Sequence, residues 1–283
     1  MKVFSNRIVV RSLALLPLCA VIGGCVSTVS TMTPGKMDWV QPESTAPRAG
    51  QAYLVRGLIG LFSGGIDALT VKIDDAGIRA HVFQEDQRNL LAQTLVEKYR
   101  NAPDHEPIIL IGHSLGADAV INAARELDKA GVQVDVLVTI DATRPPNLPK
   151  NVKVCYNYYQ PSIFDGTGIL RGIPLTPDPD FHGQLYNMNV RAEYKDLLEW
   201  DTNHVNIDKN TKIHADVISK LLPVCPPRPE WAAAHMPILA GSTTRPAMHI
   251  APPTAANTNQ PPQLGDAVST LPPRFSNSSD NGR

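Results

Sequence analysis

The chain reads as an α/β protein: a mostly parallel sheet of about six strands, flanked by helices, in a single domain. Three observations carry that prediction. Between residues 52 and 225, short strand-like segments alternate with helix-like ones, the pattern that crossovers between parallel strands produce. Ile108-Ile109-Leu110-Ile111 is apolar at every position, as a central strand buried on both faces should be. Turn residues such as Gly57, Gly77, Pro103 and Gly131 close the segments.

The elements follow in order. Residues 52–56 form a short strand ending at Gly57. Ile66, Leu69, Ile73 and Ala76 recur at helical spacing and stop at Gly77. Residues 78–83 are the next strand, and Leu90, Leu91, Thr94, Leu95 and Tyr99 mark a helix closed by Asn101 and Pro103. Beyond the apolar strand at 108–111, Ala117, Val120, Ile121, Ala124 and Leu127 make one helical face. Residues 134–140 and 152–158 are further strands, and 185–190 is a last one. Ile213, Val217, Ile218 and Leu221 make the final helix, with Asp208, Asn210 and Thr211 as candidate caps. Residues 160–200, rich in Gly, Pro and Asp, give no regular pattern; 161–181 reads as a lid or cleft wall.

The two ends differ from this domain (52–225). Lys2, Arg7 and Arg11 precede an apolar run over 13–22, then Gly23-Gly24-Cys25. A positive start, a short apolar core and small residues predict a signal peptide over 1–24. V-I-G-G-C resembles the lipobox of bacterial lipoproteins. That resemblance implies cleavage before Cys25, acylation of its thiol, and export to the periplasmic side of an envelope membrane, the outer rather than the inner. An ordinary secreted protein with a chance cysteine is the alternative. Residues 25–51, rich in Ser, Thr and Pro, then read as a lipidated tether. At the other end, eleven of the 25 prolines lie beyond Cys225, so 226–283 reads as a disordered Pro-rich tail. Docking of Trp231 and of the patch at 236–239 onto the domain is the alternative there.

Composition narrows the chemistry. The net charge is −1 without a long basic or acidic block, so no nucleic-acid partner is expected. No window has the C-x-x-C or H-x-x-x-H spacing of a zinc site. The glycine-rich R-G-L-I-G-L-F-S-G-G after the first strand fits neither G-x-G-x-x-G nor a phosphate-binding P-loop. No metal or cofactor is expected, and the oligomeric state is not legible.

The stretch Gly112-His113-Ser114-Leu115-Gly116 sits between the apolar strand and the amphipathic helix. Strand, G-x-S-x-G, helix is the context of a nucleophile elbow, in which a sharp turn lifts the serine above the sheet. The following helix directs its N-terminal dipole at a developing oxyanion. With this motif the chain, from about residue 53 to 222, resembles the α/β-hydrolase family of lipases, esterases and thioesterases. The resemblance implies Ser114 as nucleophile, then an acid, then a histidine in chain order, with an acyl ester or thioester as substrate.

Asp141 directly follows the strand at 134–140 and lies on the elbow's side of the sheet, which makes it the candidate acid. Many family members place the acid one strand later, where this chain has no carboxylate before Asp165. Of the eight histidines, His182, His204 and His214 follow the serine within the domain. The family base sits between the last strand and last helix, which favours His204; His214 and His182 are the alternatives. His113, inside the elbow, reads as structural. The oxyanion donors implied are the amide of Leu115 and one from the loop after the first strand, with Leu58 the candidate. That loop carries Arg-Gly where the family often has His-Gly. Cys155 and Cys225 are either a disulfide or two buried thiols. A non-catalytic lipoprotein on the same fold, with a binding or structural role, is the rival to the enzyme reading.

Overall fold

The computed structural model describes residue 30 and residues 32–58, 64–161 and 171–235. The expected signal peptide with Cys25, part of the suggested cleft wall, and the tail beyond 235 lie outside the described residues.

Six strands, β1 (Gln51–Val55), β2 (Arg79–Phe83), β3 (Ile108–His113), β4 (Val134–Ile140), β5 (Val152–Tyr159) and β6 (Gln184–Asn189), form one sheet in the order β2-β1-β3-β4-β5-β6. Every neighbouring pair is parallel. Among the described residues, helices α1 (Gly64–Asp75), α2 (Arg88–Tyr99), α3 (Leu115–Lys129), α4 (Thr211–Leu221) and α5 (Arg228–His235) accompany the sheet, with short 3-10 turns between elements. A parallel sheet with helices on both faces is the architecture that the alternation of strand-like and helix-like segments predicts.

Alternation along each strand divides the core in two. Tyr53, Val55, Ile108 and Leu110 face Leu91, Leu95, Val120 and Leu127 of α2 and α3. Ala52, Leu54, Ile109 and Ile111 face Ile66, Leu69, Ile213 and Val217 of α1 and α4. Both faces of β1, β3 and β4 are therefore covered and every residue of the three strands is buried, which explains the apolar runs 52–55, 108–111 and 136–138 within them. Each fully buried Leu, Ile or Val side chain contributes roughly 1.5–3 kcal/mol.

Strand order reverses between β1 and β3: from β1 the chain moves outward to β2, and from β3 it moves the other way to β6. In open α/β sheets the crevice at the carboxyl ends of strands at such a switch point is where ligands bind. The loops after β1 and β3, carrying Leu58 and Ser114, flank it.

Both boundaries expected for the domain move outward. Residues 32–50, read above as part of a tether, pack on the domain. Glu106, fully buried, accepts hydrogen bonds from the amides of Ser44 and Gly50 (both 2.9 Å) and from Arg228 Nη1 (2.7 Å). Arg48 Nε donates to the Cys225 carbonyl at 2.6 Å, and Arg48 bridges Pro227 in antiparallel register. Residues 226–235, read as the start of the tail, continue into α5, with Pro229 in its first turn, where proline needs no amide partner. Main-chain bonds and an ion pair hold these segments, and the buried Val40, Ala46 and Ala49 are irregularly spaced, so they leave no apolar periodicity in the sequence. Cys155 and Cys225 are separate buried thiols, the second of the two alternatives.

Candidate active site

Ser114 occupies the turn between β3 and α3 with φ 55° and ψ −123°. A non-glycine residue there is strained by about 1–3 kcal/mol. The turn is tight because its two glycines let backbones touch. A Cβ on Gly112 would lie 2.2 Å from the Gly116 carbonyl oxygen, and one on Gly116 would lie 2.3 Å from the Val55 carbonyl oxygen. Neither position admits a side chain. The Leu115 amide, first in α3, makes no hydrogen bond among the described residues. It is one of the unpaired donors that every helix N-terminus offers.

His204 reaches the turn from the loop between β6 and α4. Its Nε2 is 3.1 Å from Ser114 Oγ, and its Nδ1 is 3.2 Å from Asp141 Oδ2. The carboxylate accepts from Nδ1–H, which leaves the Nε2 lone pair facing the serine hydroxyl. Asp141 is completely buried at the end of β4, also at positive φ (48°), a conformation that aspartate tolerates better than most residues. The structure thus brings Ser114, His204 and Asp141 into one hydrogen-bonded chain, and each of the three is at most 9% exposed.

The other candidate histidines are elsewhere. His214, in α4, points Nε2 at the Asp208 carbonyl (2.5 Å) and Nδ1 at Lys72 Nζ (3.1 Å). Burial, reinforced by the Lys72 charge, pushes its pKa down to about 4. His182 lines a groove of about 1100 Å³ at the amino ends of the strands, the edge opposite Ser114. Asp208 does not cap α4. Asn210 does so, accepting from the Lys212 and Ile213 amides, while Asp208 accepts from Gly65 and Ile66 at the start of α1.

Two further residues support these three: Gln160, whose part the sequence does not signal, and His113, read above as structural. Gln160, just past β5, donates its amide to Asp141 Oδ1 (2.8 Å) and its side-chain Nε2 to Asp141 Oδ2 (3.1 Å). His113 donates Nε2–H to the His204 carbonyl at 3.0 Å, its ring 5.5 Å from that of His204. Complete burial, with His204 adjacent, lowers its pKa to about 4, so it is neutral at physiological pH. Gln160 belongs to no motif, and His113 is the variable position of G-x-S-x-G; only the fold gives either its partner.

Leu58 stands on the same edge. The carbonyl of Arg56, two residues before it, would lie 2.4 Å from a Cβ on Gly116, so this loop packs against the turn. Residues 59–63 of the loop lie outside the described residues. Arg56 itself turns inward: it is 1% exposed and donates Nε to Asp67 Oδ1 at 2.8 Å. It braces the loop rather than offering a cation to a ligand.

No protein-family model matches the chain, and no curated protein sequence matches it either. Comparison with solved structures finds an α/β serine hydrolase without lid from Xanthomonas campestris, 16% identical, covering 70% of this chain and 88% of the other, with a TM-score of 0.39. A thioesterase of the prodiginine pathway in Streptomyces coelicolor is 12% identical over 69% of this chain and 91% of the other, with a TM-score of 0.34. A type II thioesterase of the yersiniabactin pathway is 17% identical over 35% of this chain, with a TM-score of 0.27. The chain spans 44% of that thioesterase's length.

Proposed function

We propose that this protein is a serine hydrolase that cleaves a carboxylic ester or thioester through an acyl-enzyme. The observation that carries the reading is the chain of two contacts, Ser114 Oγ to His204 Nε2 at 3.1 Å and His204 Nδ1 to Asp141 Oδ2 at 3.2 Å. It is supported by the strained backbone that holds Ser114 above the sheet. A serine hydroxyl alone is a weak nucleophile and needs an oriented base within hydrogen-bond reach.

The steps follow from these positions. His204 Nε2 takes the hydroxyl proton as Ser114 Oγ bonds to the substrate carbonyl carbon. The oxyanion forms against the Leu115 amide and a donor from the loop after β1, for which we assign Leu58. Asp141 stabilises the imidazolium and holds its tautomer. His204 then gives its proton to the departing alcohol or thiol as the carbon–leaving-group bond breaks. Water, deprotonated by His204, cleaves the acyl-enzyme, releases the acid and restores Ser114. We further propose that the mature chain begins at an acylated Cys25 and works at an envelope membrane, facing the periplasm.

Turnover of a panel of p-nitrophenyl esters and acyl thioesters of graded chain length tests the reading. Ser114→Ala and His204→Ala should each lower kcat/KM by about three orders of magnitude or more. A non-catalytic lipoprotein would show no turnover in the wild type.

A further inference from the structure

The described chain enters the domain at the edge that carries Ser114. The Met32 amide donates to Asp67 Oδ2 at 3.1 Å, and the Met32 carbonyl accepts from Arg56 Nη2 at 2.7 Å. Arg56 directly follows β1 and Asp67 lies in the first turn of α1. Both therefore stand at the carboxyl ends of the strands. Their ion pair is buried, with side chains 1% and 6% exposed, so breaking one partner would leave an uncompensated charge. Met32 is thus held at a firm point beside the loop that carries Leu58. From there the chain runs to the opposite edge, where the Gly50 amide meets Glu106, before entering β1.

Cys25 precedes Met32 by seven residues. A trans chain spans at most about 3.3–3.6 Å per residue, so Cys25 stays within about 25 Å of Met32. On the same edge two large apolar side chains face solvent: Trp200, 98% exposed and four residues before His204, and Leu58, 54% exposed. Trp231 lies on the opposite edge, in the groove with Lys150, Lys153 and His182.

We propose that the carboxyl edge of the sheet is the membrane-docking surface, its occupant being the lipid bilayer that holds the acyl chains of Cys25. The proposal rests on the lipid-anchor reading. Buried acyl chains contribute about 0.8 kcal/mol per CH₂, and the short tether keeps the Ser114 edge, rather than the Trp231 edge, next to the headgroups. Trp200 seats at the interface, where the amphipathic indole is favoured, and Leu58 inserts beside it. The site then opens toward the bilayer, and its substrate is an acyl ester carried by a membrane lipid.

The test uses the lipidated mature chain in phosphatidylcholine vesicles with brominated acyl chains, which quench tryptophan at the headgroup–acyl boundary. The chain has three tryptophans. Trp39→Phe with Trp231→Phe leaves Trp200 as the reporter, and Trp39→Phe with Trp200→Phe leaves Trp231. Brominated lipid should remove roughly half or more of the Trp200 emission and leave Trp231 unchanged. Equal quenching of the two, quenching of Trp231 alone, or quenching of neither overturns the proposal. Intact mass separates the causes: an unmodified Cys25 sinks the anchor reading and the orientation with it, whereas an acylated Cys25 with unquenched Trp200 sinks the orientation alone. If a double variant fails to fold, Trp200→Phe by itself, at a fully exposed position, should abolish most of the quenching seen in the native chain.

Discussion

His113 donates from Nε2 to the main-chain carbonyl of His204 at 3.0 Å, tying the residue before the candidate nucleophile to the loop that carries the candidate base. The two elements are 91 positions apart in sequence, and this bond sets their spacing directly. His113→Leu keeps the volume but removes the donor and leaves the buried carbonyl unpaired, which costs about 1–3 kcal/mol. We expect a matching fall in thermal stability and a drop in kcat larger than the change in KM. Steady-state kinetics with a melting curve checks both; an unchanged kcat would remove His113 from the account.

The strain at Ser114 is separable from its chemistry. Glycine adopts φ 55° without a steric penalty, whereas alanine does not. Ser114→Gly should therefore be more stable than Ser114→Ala by about 1 kcal/mol, with both inactive. Denaturant unfolding of the two variants gives the difference, and equal stability would mean that the turn is relaxed.

Gln160 competes with His204 for the same oxygen of Asp141. Gln160→Leu removes one donor from the carboxylate, leaves its charge less dispersed, and strengthens its hold on the imidazolium. The acidic limb of the pH profile of kcat/KM should move upward in the variant. A merely structural role would lower activity without moving the limb.

Two buried histidines and one buried carboxyl set opposing pH terms. His113 and His214 are held down to about 4, each chiefly by burial. Unfolding lets both take up protons, so their share of stability is lost as pH falls from about 6.5 toward 4. Burial raises Asp208 to about 7, so its share is lost as pH rises from about 4 to 7. Between pH 4 and 6.5 the net term is one proton, a stability gain of roughly 1.4 kcal/mol per unit of rising pH. Asp208→Asn keeps an acceptor for the α1 amides and removes the opposing term, so the slope should about double. Chemical denaturation across this range checks it; an unchanged slope contradicts the assignment of Asp208.

What the sequence made legible was local. The elbow could be read because a tight strand-to-helix turn demands Gly112 and Gly116 at fixed spacing, and because the four residues at 108–111 are all apolar. Asp141 and His204 were legible from chain order and their places after strands. Gln160 was not: its role depends on β4 and β5 being neighbours, which pairs Ile140 with Tyr158. Asp208 misled because capping residues look alike in sequence, and only the packing of its loop on α1 gives it Gly65 and Ile66. The packed segments at 32–50 and 226–235 were hidden because Glu106, Arg48 and Arg228 hold them through main-chain groups. Hydrogen bonds of that kind impose no periodicity.

The most direct test of the central claim is the site of covalent capture by a fluorophosphonate, read by intact mass and peptide mapping. One adduct per chain is expected, on Ser114, absent from Ser114→Ala and formed far more slowly in His204→Ala. No adduct on the wild type, or the same adduct in Ser114→Ala, would contradict it.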